Sequence, residues 1–241
     1  AYIPVKTAIY VSEDVFGLKA RTAPTREHYA IDTIVIDPGH GGKDPGASRY
    51  GIKEKYIVLD VSKRLKRYLE KKGFKVILTR NKDIFIPLKK RAAFANKKKA
   101  DLFISIHANA SRSSRLKGFE VYYLSEATDD NARALALAEN ASLKFEDISS
   151  PTEWDLVLSE NRRESKQLAY YICSIASNKL GMEKRVRGAR FSVLKGTVMP
   201  AVLVEIGYLT NSRERSNLKK SSFRKKIADA IGSAILAYER E

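Results

Sequence analysis

The sequence predicts a single three-layer α/β domain, with a mostly parallel central sheet and helices on both faces. Three observations predict it: short runs rich in β-branched residues recur along the chain, amphipathic stretches of helical period separate them, and glycine or proline marks the joins. With 241 residues, 44% of them hydrophobic, the chain can bury one large core. Residues 1–32 read differently from the rest. Tyr2 to Val11 is β-prone and Asp14 to Tyr29 is polar, so a short N-terminal β/extended arm is expected ahead of a domain over 33–241.

The elements follow in order. Ile34-Val35-Ile36 is a buried strand stopped by Pro38-Gly39, which delivers His40 onto a glycine-rich turn. Val58, Val61, Leu65 and Leu69 make one face of a helix over Lys53–Lys72, ended by Gly73. Phe74–Thr79 is a strand, and Pro87–Lys99 a helix with its proline near the first turn. Asp101–Ile106 is a strand that runs directly into His107. Gly118–Leu124 alternates as a strand and Asp129–Leu143 has helical spacing. Ser150-Pro151-Thr152-Glu153 carries a helix-start signal, and the stripe from Leu168 to Leu180 ends at Gly181. Val186–Leu194 and Pro200–Ile206 read as strands, and Ser222–Glu239 as the closing helix.

Composition narrows the function classes. No window approaches the ~18 apolar residues of a transmembrane helix. The single cysteine, Cys173, lies in a helical stripe and reads as a small buried residue, so neither an internal disulfide nor a cysteine nucleophile is expected. The formal charge of +17 favours anionic partners such as wall or envelope polymers. The basic residues are scattered over helix-like faces without a nucleic-acid motif, so no nucleic acid is expected.

In such sheets ligands gather beyond the carboxyl ends of the strands. Two of the chain's three histidines, His40 and His107, sit there, and Glu205 ends the apolar run Val202-Leu203-Val204. Glu54 starts the helix after the glycine-rich turn; alone, it reads equally as a first-turn carboxylate favoured by the helix dipole. Together His40, Glu54 and His107 are the donor set of a catalytic zinc site, with Glu205 free to act as general base. The same set accepts other divalent ions.

Ile34–Ala47 (IVIDPGHGGKDPGA), Glu54-Lys55, Thr79-Arg80, Leu102–Ala110 (LFISIHANA) and Ala201–Asn211 (AVLVEIGYLTN) resemble, in order, the zinc-dependent N-acetylmuramoyl-L-alanine amidases of the Amidase_3 type. The resemblance runs from about residue 33 to the C-terminus. It implies one zinc ion on His40, Glu54 and His107, catalysis by Glu205, and cleavage of the amide between the lactyl group of N-acetylmuramic acid and L-alanine. It also implies a peptidoglycan substrate, action in the periplasm or outside the cell, and a part in cell division and separation. Asn109, Arg80 and Asn211 are then expected near substrate, with structural hydrogen bonding an equal reading of each, and Gly39, Gly41 and Gly42 are expected to keep the cleft floor low for a glycan strand. Some family members carry an inhibitory helical insertion, released by an activator protein, at the place of residues 127–166 here. A cleft wall is the favoured reading of this region; a shortened inhibitory helix over PTEWDLVLSE, reaching the metal through Glu153 or Glu160, is the other. A non-catalytic wall-binding module is the alternative from a different functional class, although it would have little need of all four residues.

Overall fold

The computed structural model describes residues 31–145 and 158–240. Residues 1–30 of the expected arm, the helix-start signal at Ser150 and Glu153 lie outside them. The chain order is β1 (Thr33–Pro38), β2 (Ser48–Arg49), β3 (Ile52–Lys53), α1 (Glu54–Glu70), β4 (Lys75–Leu78), α2 (Leu88–Lys97) and β5 (Leu102–Asn109). There follow β6 (Phe119–Leu124), α3 (Asp130–Asn140), α4 (Leu158–Leu180), β7 (Lys184–Ala189), β8 (Ala201–Tyr208), α5 (Ser212–Lys219) and α6 (Ser221–Glu239).

Six strands form one sheet in the order β4-β1-β5-β8-β6-β7, and β2 and β3 make a separate hairpin. β4, β1, β5 and β8 are mutually parallel, whereas β6 runs antiparallel to β8 and carries β7 with it. β1, β5 and β8 are buried along their whole length, which explains their near-continuous apolar runs. Period-two alternation sorts their side chains into two cores. Ile34, Ile36, Ile104, Ile106, Val202 and Val204 pack with α1, α4 and α6 on one face. Val35, Phe103 and Leu203 pack with α2 and α3 on the other. By the same alternation Asp37, His107 and Glu205 fall on the α2/α3 face.

Several boundaries differ from the sequence expectation for identifiable reasons. α2 stops at Lys97 because Lys99 takes a left-handed backbone, φ 50°. The apolar stretch expected as a strand over 186–194 pairs only as far as Ala189, where its partner β6 ends at Leu124. Beyond it the chain turns, with Leu194 N–H donating to Phe191 O, and buries Phe191, Val193 and Leu194 in the α2/α3 core. α3 gives way at Asn140 to a 3₁₀ turn over Ala141–Phe145. The β2–β3 hairpin and α5 carried no signal long enough to stand out. The hairpin closes through Tyr50 (φ 49°) and Gly51 (φ 76°), two successive left-handed residues as a two-residue turn of this kind requires.

The reversal of β6 redirects the chain. Since β6 ends at the edge where β8 begins, α3 must climb back toward the carboxyl ends of β1, β5 and β8. Its 11 residues span about 16 Å, enough to bring its last turn to that rim.

Candidate metal centre

Four side chains converge at the carboxyl ends of β1 and β5: His40, Glu54, His107 and, from the last turn of α3, Glu139. One donor atom from each lies within 4.8 Å of the others. His40 Nε2 is 3.2 Å from both Glu54 Oε1 and Glu139 Oε2; His107 Nδ1 is 3.2 Å from Glu54 Oε1 and 2.9 Å from Glu139 Oε2. His40 Nε2, His107 Nδ1 and Glu139 Oε2 are buried, yet none makes a hydrogen bond of acceptable geometry. Donor atoms that crowd one point without bonding each other are what a small cation requires. Spacings near 3 Å suit neighbouring corners of a tetrahedron with ligand distances of about 2.0–2.2 Å, so the residues fit a zinc-sized ion.

The surrounding contacts aim these ligands. His40 sits in a left-handed backbone, φ 57°, and its Nδ1 pairs with Asp44 Oδ2 at 2.9 Å, leaving Nε2 for the centre. Glu54, the first residue of α1, accepts from Ala47 N–H through Oε2 and from Ala108 N–H through Oε1, both at 2.8 Å. Burial alone would hold the His107 imidazole neutral, but the Glu139 and Glu54 carboxylates outweigh it and raise its pKa to about 10.

Glu205 lies beside His107 in the β5–β8 register. It is fully buried, and neither carboxylate oxygen has a hydrogen-bond partner. Burial pushes its carboxyl well above the ordinary range, and the Glu139 carboxylate adds to the effect. An unpartnered carboxylate beside a metal-binding cluster is free to exchange a proton with whatever occupies the centre.

Two acidic residues escaped the sequence reading. Glu139 stands in the last turn of a helix with no basic residue there, where the dipole disfavours a carboxylate; that misfit was its available signal. Glu120 on β6 pairs in register with Glu205 and is fully buried. It accepts from Tyr122 Oη (2.5 Å), Tyr208 Oη (2.9 Å), Arg185 Nη1 (2.9 Å) and Arg187 Nη1 (3.4 Å). Arg187 also pairs with Asp129, the residue that N-caps α3, at 2.8 Å.

Other expected positions prove to be structural. Arg80, expected near substrate, is buried and gives its guanidinium to the carbonyls of Pro38, Gly39, Lys55 and Lys82, bracing the turn under His40. Asn211 caps α5 through Oδ1 and ties the loop at Ser114 through Nδ2, so it too is spent on the fold. Asn109 is nearly buried at the β5–β8 irregularity, and its side-chain amide has no partner among the described residues. The glycines make room for the protein itself, not for a glycan: a Cβ on Gly39 would lie 2.4 Å from the His107 ring, and one on Gly41 2.2 Å from Ile84 O. Among the described residues, the carboxylate that reaches the centre from the 127–166 region is Glu139; Glu160 lies in the first turn of α4, and its side chain, like Glu153, lies outside the described residues. Cys173 is buried, and burial raises its thiol to about 11, as a packing residue would be.

Fold and site together define a class: an α/β domain with a two-histidine, two-glutamate cluster able to hold a metal ion at the carboxyl side of its parallel strands and a buried glutamate without a hydrogen-bond partner beside it. Residues 34–237 match the family described as N-acetylmuramoyl-L-alanine amidase, and the chain belongs to that family. Among curated relatives, the N-acetylmuramoyl-L-alanine amidase AmiC of Escherichia coli is 39% identical over 221 residues, 85% of this chain and 52% of the relative. The chain thus spans about half the length of that relative. Among solved structures, the catalytic domain of CwlV, an N-acetylmuramoyl-L-alanine amidase from Bacillus (Paenibacillus) polymyxa, superposes with a TM-score of 0.67 at 31% identity, covering 86% of this chain and 97% of that one. The CwlD amidase of Clostridioides difficile, solved in complex with the GerS lipoprotein, gives 0.68 at 27% identity, with 86% and 98% covered.

Proposed function

We propose that this domain hydrolyses the amide bond between the lactyl group of N-acetylmuramic acid and L-alanine of the peptidoglycan stem peptide, with one zinc ion as cofactor. The observation that carries the reading is the placement of Glu205, buried and unpartnered, next in register to His107 in the metal-binding cluster. His40, Glu54 and His107 would hold the zinc, which when bound polarises the scissile carbonyl and acidifies the attacking water. Glu205 takes the proton of that water and passes it to the departing amine nitrogen of L-alanine. Its raised proton affinity suits the second transfer, and its burial keeps the proton from bulk solvent. Asn109, with its free amide, is placed to steady the substrate's backbone.

In this reading α3 is a plug. Glu139 sits beside His40 and His107, and the cavity that reaches these three from the side of Leu88, Phe191 and Val193 holds only about 10 Å³, room for one water at most. No sugar or peptide enters until Glu139 withdraws, so the 127–166 region acts as a regulatory element and an activator protein that displaces α3 is the fitting partner. The similar CwlD amidase was solved in complex with a lipoprotein, which supports a protein partner for a domain of this fold. The substrate places the working protein outside the cytoplasmic membrane, where its basic surface meets anionic wall polymers; among the described residues no helix is long and apolar enough to cross a membrane.

Metal analysis joined to a muropeptide digest tests the proposal. The wild-type chain should bind one zinc and release stem peptides with a free N-terminal L-alanine. Glu205→Gln should keep the zinc and lose turnover by about 10²–10⁴-fold, the span of general acid–base catalysis. Undiminished turnover in that variant would remove Glu205 from the mechanism.

A further inference from the structure

A second cavity of about 390 Å³ opens on the same rim, lined among others by Arg49, Tyr50, Ser111, Arg112, Ser114 and Thr210. Each wall is the continuation of an element that builds the centre. The β2–β3 hairpin runs straight into Glu54, Ser111 follows His107 by four residues, and Thr210 follows Glu205 by five. At no more than about 3.6 Å per residue, the walls lie within ~18 Å of the reacting groups, the reach of a stem of about five extended residues.

The walls are fastened to one another. The Arg215 guanidinium lies 4.2 Å over the Tyr50 ring and donates to Leu209 O at 3.0 Å, tying the hairpin to the loop after β8. Ser111 N–H donates to Thr210 Oγ1, and Asn211 Nδ2 to Ser114 O. Tyr50 holds a left-handed backbone while 77% exposed, a conformation unusual for a bulky residue and suited to a rim held ready for contact.

The charges of this cavity are uncompensated. Arg64, Arg185, Arg187 and Arg224 each face a carboxylate, but among the described residues Arg49 and Arg112 have none. Two unpaired guanidinium groups with serine and threonine hydroxyls in a concave site select an anion, and a planar carboxylate matches the guanidinium fork in two-pronged fashion.

We propose that this cavity is a subsite for carboxylate groups of the stem peptide, engaged by Arg49 and Arg112, so that the domain selects acidic over amidated stems. The inference rests on the amidase reading above. It extends that reading by assigning specificity to residues that touch neither the metal cluster nor Glu205.

The test compares two probes on the full chain: a muramoyl tripeptide with free carboxylates and the same compound with those carboxylates amidated. Calorimetric binding and hydrolysis kinetics are both read. Wild type should prefer the acidic probe. The double variant Arg49→Ala, Arg112→Ala should lose about 10–100-fold in affinity for it, seen as a raised KM at little-changed kcat, and bind the amidated probe as before. The Lys pair at the same positions should restore part of the preference. Equal wild-type affinity for the two probes would overturn the proposal, as would an equal loss for both in the variant. The two readings fail separately: discriminating binding without hydrolysis refutes the amidase reading alone, and hydrolysis without discrimination refutes the subsite alone.

Discussion

Two cavities on one rim are in opposite states. At the cluster proposed to hold the metal the protein supplies its own anion, Glu139, and the cavity beside His40, His107 and Glu139 is about 10 Å³. At the arginine-lined cavity it supplies cations, no described carboxylate approaches, and about 390 Å³ stands open. The difference lies in what borders each place. α3 packs against β7 and buries Leu135 and Ala136 in the core, so that its last turn carries Glu139 to the centre, whereas the other cavity is bounded by a two-residue hairpin turn and short loops. A helix with an apolar face is a plug that burial holds in place; loops of this length cannot fill a cavity of that size. On the proposed readings, the protein closes the place of chemistry and leaves open the place of substrate recognition.

The largest effect on this contrast should come from the floor of the filled cavity. Asp37 there is fully buried, pairs with Arg91 at 2.8 Å and accepts from Thr79 and Ser105. Asp37→Asn leaves the Arg91 charge uncompensated and should cost about 3–5 kcal/mol in denaturant unfolding. Burial by itself would raise the Asp37 carboxyl, but Arg91 and the two hydroxyls outweigh it and hold the pKa below the usual carboxylate range. Its contribution is therefore present above the unfolded-state value of about 3.9 and lost as pH falls through the lower folded value. Wild-type stability should drop through that acid window, and the Asn variant should lack this component; an unchanged acid profile would separate Asp37 from the floor's stability.

The next effect bears on the plug itself. If α3 keeps the centre closed nine-tenths of the time, Glu139→Ala should raise initial rates of muropeptide release by ~10-fold, and more if the open fraction is smaller. The same variant should give up its metal to a chelator more readily. Activity falling in step with metal content would mean that Glu139 is a constitutive ligand and that the two cavities differ only in size. The smallest effect concerns the open cavity: Arg215→Ala removes the cation–π contact on Tyr50, worth about 0.5–1 kcal/mol, and should lower Tm by roughly 1–4 °C while weakening acidic-stem binding. Unaltered binding would show that the hairpin needs no fastening.

Legibility from sequence followed the range of the interactions. His40, His107 and Glu205 were readable because each follows an apolar run, a local property, although His107 and Glu205 lie within strands that continue to Asn109 and Tyr208, and His40 two residues past β1. Glu54 was readable from its place after the glycine turn. For Arg80 and Asn211 a substrate contact and a structural hydrogen bond stood open, because a guanidinium that binds four carbonyls looks, in sequence, like one that faces solvent; the structure gives both residues the structural bonds. The same holds for Gly39, whose neighbour is the ring of a residue 68 positions away.

By itself, then, the sequence determined the α/β alternation and the apolar runs that His40, His107 and Glu205 follow, since turn chemistry and a two-residue period need no knowledge of distant segments. Only the tertiary structure decided that β6 and β7 run against the other strands, which turns α3 back toward the centre and sets Glu139 beside His40 and His107. It also decided that Glu120 lies opposite Glu205 and that Arg49 and Arg112 share one cavity. Strand direction and the meeting of loops are settled by how whole layers pack, and no local pattern along the chain encodes them.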